Sequence, residues 1–222
     1  MKSSILALLL TFSGMTTIFA QGNAVADKEA YTKMITERSA KIVANLGITD
    51  ANKTEKVTVI IRNQYSDLND IYAARDARVK LIKEKNKDNK VVRDSALAKD
   101  ARVVESSLAK LHKKYISKLS AQLTNEQVDL VKNGMTYNVL PITYKAYQEQ
   151  ILTLTEDQKK QILIWLTEAR EHAMDAESSD KKHAWFGKYK GRINNYLSAA
   201  GYDLKQEGVE WEKRRKAKAQ TN

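Results

Sequence analysis

Residues 97–115 read LAKDARVVESSLAKLHKKY. Their apolar positions Leu97, Ala101, Val104, Leu108, Leu111 and Tyr115 recur at alternating steps of four and three. That spacing keeps side chains on one face of an α-helix and makes a heptad-like seam. A strand would need alternation of period two, and no stretch of comparable length has it. Upstream, Ile61, Tyr65, Leu68, Tyr72, Val79 and Ile82 follow the same helical rhythm from an Asp50 cap to about Lys83. The apolar run from Val57 leads into that period instead of forming a buried strand. Lys83 to Lys90 reads as a polar turn, so these two long helices are expected to form an antiparallel hairpin. A preceding helix over 27–46 carries Tyr31, Ile35, Ile42 and Leu46 on one stripe and stops at Gly47, a natural C-cap residue.

The second half repeats a start signal. Leu123-Thr124-Asn125-Glu126-Gln127 and Leu154-Thr155-Glu156-Asp157-Gln158 share the pattern LTxxQ. Threonine can accept from free N–H groups of the first turn, and glutamine three residues on can reach back to the threonine N–H. The leucine before the cap can staple the turn, and Glu126, Glu156 and Asp157 suit the positive helix end. A short helix then ends at Gly134, another opens at Pro141, and a third runs over 156–176. Ser178 or Ser179 can cap a helix reaching about Ala200. The fold expected is all-α: a long hairpin in 27–122, shorter helices in 123–205, together one domain over 21–205. A basic tail, 206–222, is expected to be a partly ordered helix pinned by Trp211.

Residues 1–20 read as an export leader. Lys2 gives a short positive region, apolar residues run from Ile5 toward Phe19, and Ala20 suits cleavage before Gln21. Thr11, Ser13, Gly14, Thr16 and Thr17 interrupt the run, which falls short of the roughly 20 apolar residues of a membrane span. The expected location is therefore periplasmic or secreted, with no transmembrane segment after cleavage. The absence of cysteine excludes a lipoprotein anchor and disulfides. One proline, few glycines and abundant Ala, Leu, Lys, Glu and Gln favour helix. The formal net charge is +11, and only Lys2 would leave with the leader, giving +10. Such a charge suits nucleic acid in the cytoplasm. Export argues against that partner and for acidic glycans, anionic membrane surfaces or acidic protein segments.

The densest chemistry lies between Trp165 and Tyr196. Trp165, Glu168, His172 and Asp175 share one helical face, as do Trp185, Tyr189, Arg192 and Tyr196, and a hairpin would join the two faces. One reading is packing, with core aromatics and capping ion pairs. A second is metal binding by Glu168, His172, Asp175 and His183. A third is acid–base chemistry by Glu168 and Asp175, with His172. The fourth is a ligand platform: Trp165, Trp185 and Tyr189 stack on sugar rings, Lys188, Lys190 and Arg192 meet acidic groups, and Asn194 and Asn195 add neutral hydrogen bonds. Gly187 and Gly191, one turn apart, bare the backbone for close approach. The ligand-binding set expected is Trp165, Glu168, His172, Asp175, His183, Trp185, Lys188, Tyr189, Arg192 and Asn195, with no cofactor.

The segments Gly134 to Tyr137, Thr143 to Tyr147, Glu168 to Asp175 and Lys181 to Tyr202 resemble a secreted family of unknown function from polysaccharide-degrading Gram-negative bacteria. That resemblance implies a helical exported protein associated with carbohydrate use, and supplies no catalytic residues. The two LTxxQ segments more weakly resemble the Spy-type periplasmic chaperones. The function expected is an exported, non-enzymatic binding protein for acidic or neutral glycans. A Spy-like chaperone and an enzyme using Glu168, His172 and Asp175 are the alternatives.

Overall fold

In the computed structural model the backbone is described for residues 16–220 and the side chains for 27–220. The expected leader, 1–20, lies outside these residues except for the backbone of its last five. The described residues form eight helices: α1 Thr16–Val43, α2 Ala51–Lys85, α3 Lys90–Ser120, α4 Asn125–Met135, α5 Val139–Gln150, α6 Glu156–Met174, α7 Ser179–Ala199 and α8 Leu204–Gln220. The chain is all-α, as its periodicity requires, and the described residues contain no strand. No helix among them is long and apolar enough to cross a membrane.

The caps explain where the helices begin. Asp50, Asn89 and Ser178 accept from N–H groups at the starts of α2, α3 and α7. Both LTxxQ segments are complete capping boxes. Gln127 and Gln158 accept from the N–H of Thr124 and Thr155 at 3.2 and 2.9 Å, while each threonine hydroxyl accepts from the glutamine's own N–H. Leu123 and Leu154 are buried beside them. Gln127 also donates to the carbonyl of Leu46, and Tyr202 donates to the Gln158 side chain. This local role accounts for the motif.

Some boundaries differ from those expected. α1 starts before Asp27 and ends at Val43, and a turn carries the chain to Gly47 at φ +65°. Gly134 does not terminate α4. It lies inside the helix, where a Cβ would meet Ile42 Cγ1 at 3.0 Å. The glycine therefore lets α4 sit directly on α1. Pro141 falls in the first turn of α5, where its missing N–H leaves no helical bond unmade. Residues 206–220 extend as part of α8, which lies along α5. There Arg214 donates to the last carbonyls of α5, at Glu149 and Gln150.

Two apolar clusters organise the helices. One joins α1, α2, the C-terminal part of α3 and α4 through Ile35, Val57, Ile61, Tyr115, Leu119 and Met135. The other joins α5, α6 and α7 through Tyr147, Ile162, Leu166, Phe186, Ile193 and Leu197. Met174, at the end of α6, belongs to the first cluster and ties the two together. The far part of the α2–α3 hairpin has no third layer over it, so Ala101 is exposed and Leu108 is half-buried. The seam that fixed the helical reading is thus only partly an interface. Its middle is left facing the end of α6 and the start of α7, and there a cleft opens.

Candidate functional site

The cleft is built around the C-terminus of α6. Asp175 caps that helix, and its carboxylate Oδ2 lies 2.7 Å from Nδ1 of His112 on α3. The other ring nitrogen of His112 lies 3.4 Å from Oε2 of Glu171, one turn earlier on α6. Lys132 of α4 reaches the same Glu171 oxygen at 3.0 Å. From α2, Gln64 donates to Asp175 Oδ1 and Tyr72 donates its hydroxyl to the Asp175 carbonyl at 2.7 Å. Four helices therefore meet through one polar network.

The electrostatics follow from that geometry. The hydrogen bond to Asp175, and then that to Glu171, raise the His112 pKa to about 9. At neutral pH both ring nitrogens carry protons and both donate. His112 is accordingly a fixed cation, with no lone pair left to take a proton or bind a metal. Burial alone would raise the Glu171 carboxyl, but hydrogen bonds from His112 and Lys132 with the nearby Arg170 charge bring it down to about 2. Arg170 is buried and reaches Asp129 at 2.7 Å and Asn133 at 3.0 Å. Lys182, also buried, donates to the carbonyls of Ala173 and Met174, completing the end of α6. Desolvation lowers its pKa to about 8, against the pull of Asp175.

The cleft encloses about 660 Å³. Ala101, Val104, Leu108 and Ala109 of α3 supply an apolar part of the lining, and His172 of α6 and Trp185 of α7 supply its aromatic part. The imidazole of His172 stacks on the Trp185 indole, with ring centres 4.3 Å apart and planes 14° from parallel. Tyr72 and the Arg75–Glu177 pair, at 2.5 Å, line it as well. Glu105 and Lys181 also belong to the lining, and both are exposed.

From the cleft a seam of side chains runs along α6 and α7. Trp185 carries Lys188 over its ring at 5.1 Å, and His172 also faces Tyr189. Further along, Arg192 pairs with Glu168 at 3.6 Å and lies over Trp165 at 4.5 Å, and Trp165 meets Tyr196 edge-on. The two faces expected from spacing do meet. Trp165, Glu168, His172, Trp185, Lys188, Tyr189 and Arg192 form one continuous contact.

Only His172, Asp175 and Trp185 of the expected set line the cleft. His183 lies elsewhere, stacked on Tyr137 at 5.4 Å, and Asn195 is exposed outside the lining. Its neighbour Asn194 is the engaged amide, accepting from the Tyr147 hydroxyl at 2.7 Å. The proposed metal ligands are dispersed among ring stacks and ion pairs, and the described residues hold no group of three ligands suited to a metal. The space beside Gly187 and Gly191 is open: beyond their chain neighbours and the adjoining helix backbone, no atom lies within 4 Å of an added Cβ. Sequence reasoning missed His112, Glu171, Tyr72, Arg75, Glu105 and Lys181. One signal for His112 was available: it sits four residues after Leu108, a polar group at the edge of an apolar seam.

No curated protein matches the chain. The resemblance to an uncharacterised family is borne out: the family described as protein of unknown function (DUF3826) matches residues 32–217, a span that includes both walls of the cleft, and the chain belongs to that family.

Proposed function

We propose that this chain is a non-enzymatic binding protein for glycans and that the saccharide lies in the cleft against Trp185. The observation that carries the reading is the Trp185 indole, stacked on His172 and lining, together with Ala101, Val104, Leu108 and Ala109, a cleft of about 660 Å³. A flat aromatic surface takes the C–H face of a sugar ring, and flanking polar groups take its hydroxyls. Tyr72, Arg75, Glu105 and Lys181 supply such groups around the platform. In this reading the protein works outside the cytoplasm, as its first twenty residues suggest.

Titration calorimetry against a panel of oligosaccharides tests the proposal. Trp185→Ala should weaken binding at least about tenfold, the loss of roughly 1.4 kcal/mol of stacking and burial. Trp211→Ala, remote on α8, should leave affinity unchanged. Equal binding by wild type and Trp185→Ala, with circular dichroism unaltered, would remove the cleft from the account.

A further inference from the structure

A second concavity, of about 470 Å³, lies between the end of α5 and the last turns of α8. Trp211, Arg214, Arg215 and Lys218 line it, at a spacing that puts all four on one stripe of α8. Leu152, just beyond α5, adds an apolar side chain that is 66% exposed. The stripe is held in place. Arg214 donates through Nη2 to the carbonyls of Glu149 and Gln150 at 3.0 and 2.9 Å, and Arg215 lies over the Trp211 ring at 5.1 Å. The lining carries three cations and one carboxylate, Glu149, which stands 3.7 Å from Lys145. Outside the lining, Glu210 pairs with Lys213, and Glu212 is shared by Arg215 and Lys216. Every side chain in these pairs is at least 41% exposed. Such pairs contribute little and give way to a better-placed anion.

This chemistry suits a ring that bears negative charge. The indole and Leu152 offer an apolar surface to the ring, and a guanidinium matches the paired oxygens of a carboxylate or sulfate. A bare inorganic anion would leave the apolar surface unused, and an uncharged sugar would leave the cations unused. Residues 212–220 carry no apolar side chain larger than alanine, so this end of α8 lacks the face with which an interfacial helix enters a bilayer. The volume is that of a small-ligand pocket. We propose that the groove between α5 and α8 is a second ligand site and takes an acidic saccharide, with Trp211 against a ring and Arg215 on its carboxylate or sulfate. The choice of a saccharide among charged rings rests on the glycan-binding reading. The groove itself shares no residue with the cleft.

Calorimetry on the full chain tests the site with oligogalacturonate, oligoalginate and chondroitin sulfate oligosaccharides. At least one should bind, and its affinity should fall about tenfold in Trp211→Ala and about tenfold in Arg215→Gln, with circular dichroism unchanged. Raising salt from roughly 50 to 300 mM should weaken it severalfold, because the charges that meet the ligand are exposed and screened. Lys80→Gln removes an equal charge from the surface of α2 and should leave the affinity as it was. Three results would overturn the proposal: no acidic probe binding, binding indifferent to Trp211→Ala and Arg215→Gln, or an equal loss in Lys80→Gln. Tighter Trp211-dependent binding of polyglutamate, or of phosphatidylglycerol vesicles, would overturn it as well and give the groove to that partner. The two sites fail separately. Trp185→Ala should not disturb binding in the groove, and Trp211→Ala should not disturb binding in the cleft. Saccharide binding that depends on Trp185 alone would sink the groove and keep the cleft; dependence on Trp211 alone would do the reverse.

Discussion

Replacing His112 by glutamine removes the charge at the centre of the network while keeping a hydrogen-bonding side chain. In the wild-type fold the His112 pKa is about 9, against 6.5 for an unconstrained histidine. Below pH 6.5 folded and unfolded chains both hold the proton, and the stabilisation is fully present. Above 6.5 the unfolded chain releases the proton and the folded chain keeps it, so stability falls as pH rises toward 9. Lys182 acts in the opposite sense, but only from about pH 8, where the folded chain loses a proton that the unfolded chain holds to 10.5. The interval from 6.5 to 8 therefore isolates His112. The limiting slope is about 1.4 kcal/mol per pH unit. The side chain is 25% exposed, so solvent screening reduces the loss over this interval to about 1–2 kcal/mol. Urea denaturation at a series of pH values should record that decline in the wild type and a flat profile in His112→Gln. At pH 6 the variant should be less stable by about 2 kcal/mol, because Asp175 and Glu171 lose their shared cation. His172 and His183 are common to both proteins and cancel in the difference. A wild-type stability that is level or rising from pH 6.5 to 8, or an identical decline in the variant, would refute the charged, doubly bonded His112.

Other perturbations test separate parts of the account. Thr124→Ala and Thr155→Ala each break a capping box and should each cost about 1 kcal/mol in urea denaturation, adding in the double variant because the caps begin different helices. Two losses below about 0.3 kcal/mol would mean the boxes contribute little. Gly187→Ala with Gly191→Ala should raise the Tm by several degrees, since each removes roughly 0.5–1 kcal/mol of helix penalty where nothing obstructs a methyl group; a lower Tm would show that this face is not open. Gly134→Ala should destabilise by about 1 kcal/mol, overpacking against buried Ile42 exceeding the gain in helix propensity. Pairing it with Ile42→Ala should cost less than the sum of the single variants, and strict additivity would contradict the close α1–α4 contact.

The fold was readable because helix signals are local. The step pattern from Leu97 to Tyr115 identified α3, Gly47 marked the turn after α1, and the two LTxxQ segments marked α4 and α6. The aromatic and charged seam from Trp165 to Tyr196 was also readable, since a short hairpin places the two helical faces together. The cleft depends on contacts no local pattern records. His112 and Asp175 are 63 residues apart, and they meet only because the α2–α3 hairpin docks against the end of α6. Glu171 was not singled out by spacing, yet it faces His112 while the adjacent His172 stacks on Trp185. Asp175, expected to contact ligand, is mostly spent on His112 and Gln64. A seam position such as Leu108 implied a helical partner. Its role in an open wall follows from the missing third layer over the outer hairpin.

The central claim is that the cleft between α3 and the α6–α7 junction holds the ligand. Chemical-shift mapping of isotope-labelled protein during titration with a panel of oligosaccharides tests it most directly. The account predicts perturbations concentrated at residues 101–112, 171–177 and 181–185, with the Trp185 indole N–H among the largest. Shifts confined to α8, spread thinly over the surface, or absent with every member of the panel would contradict it.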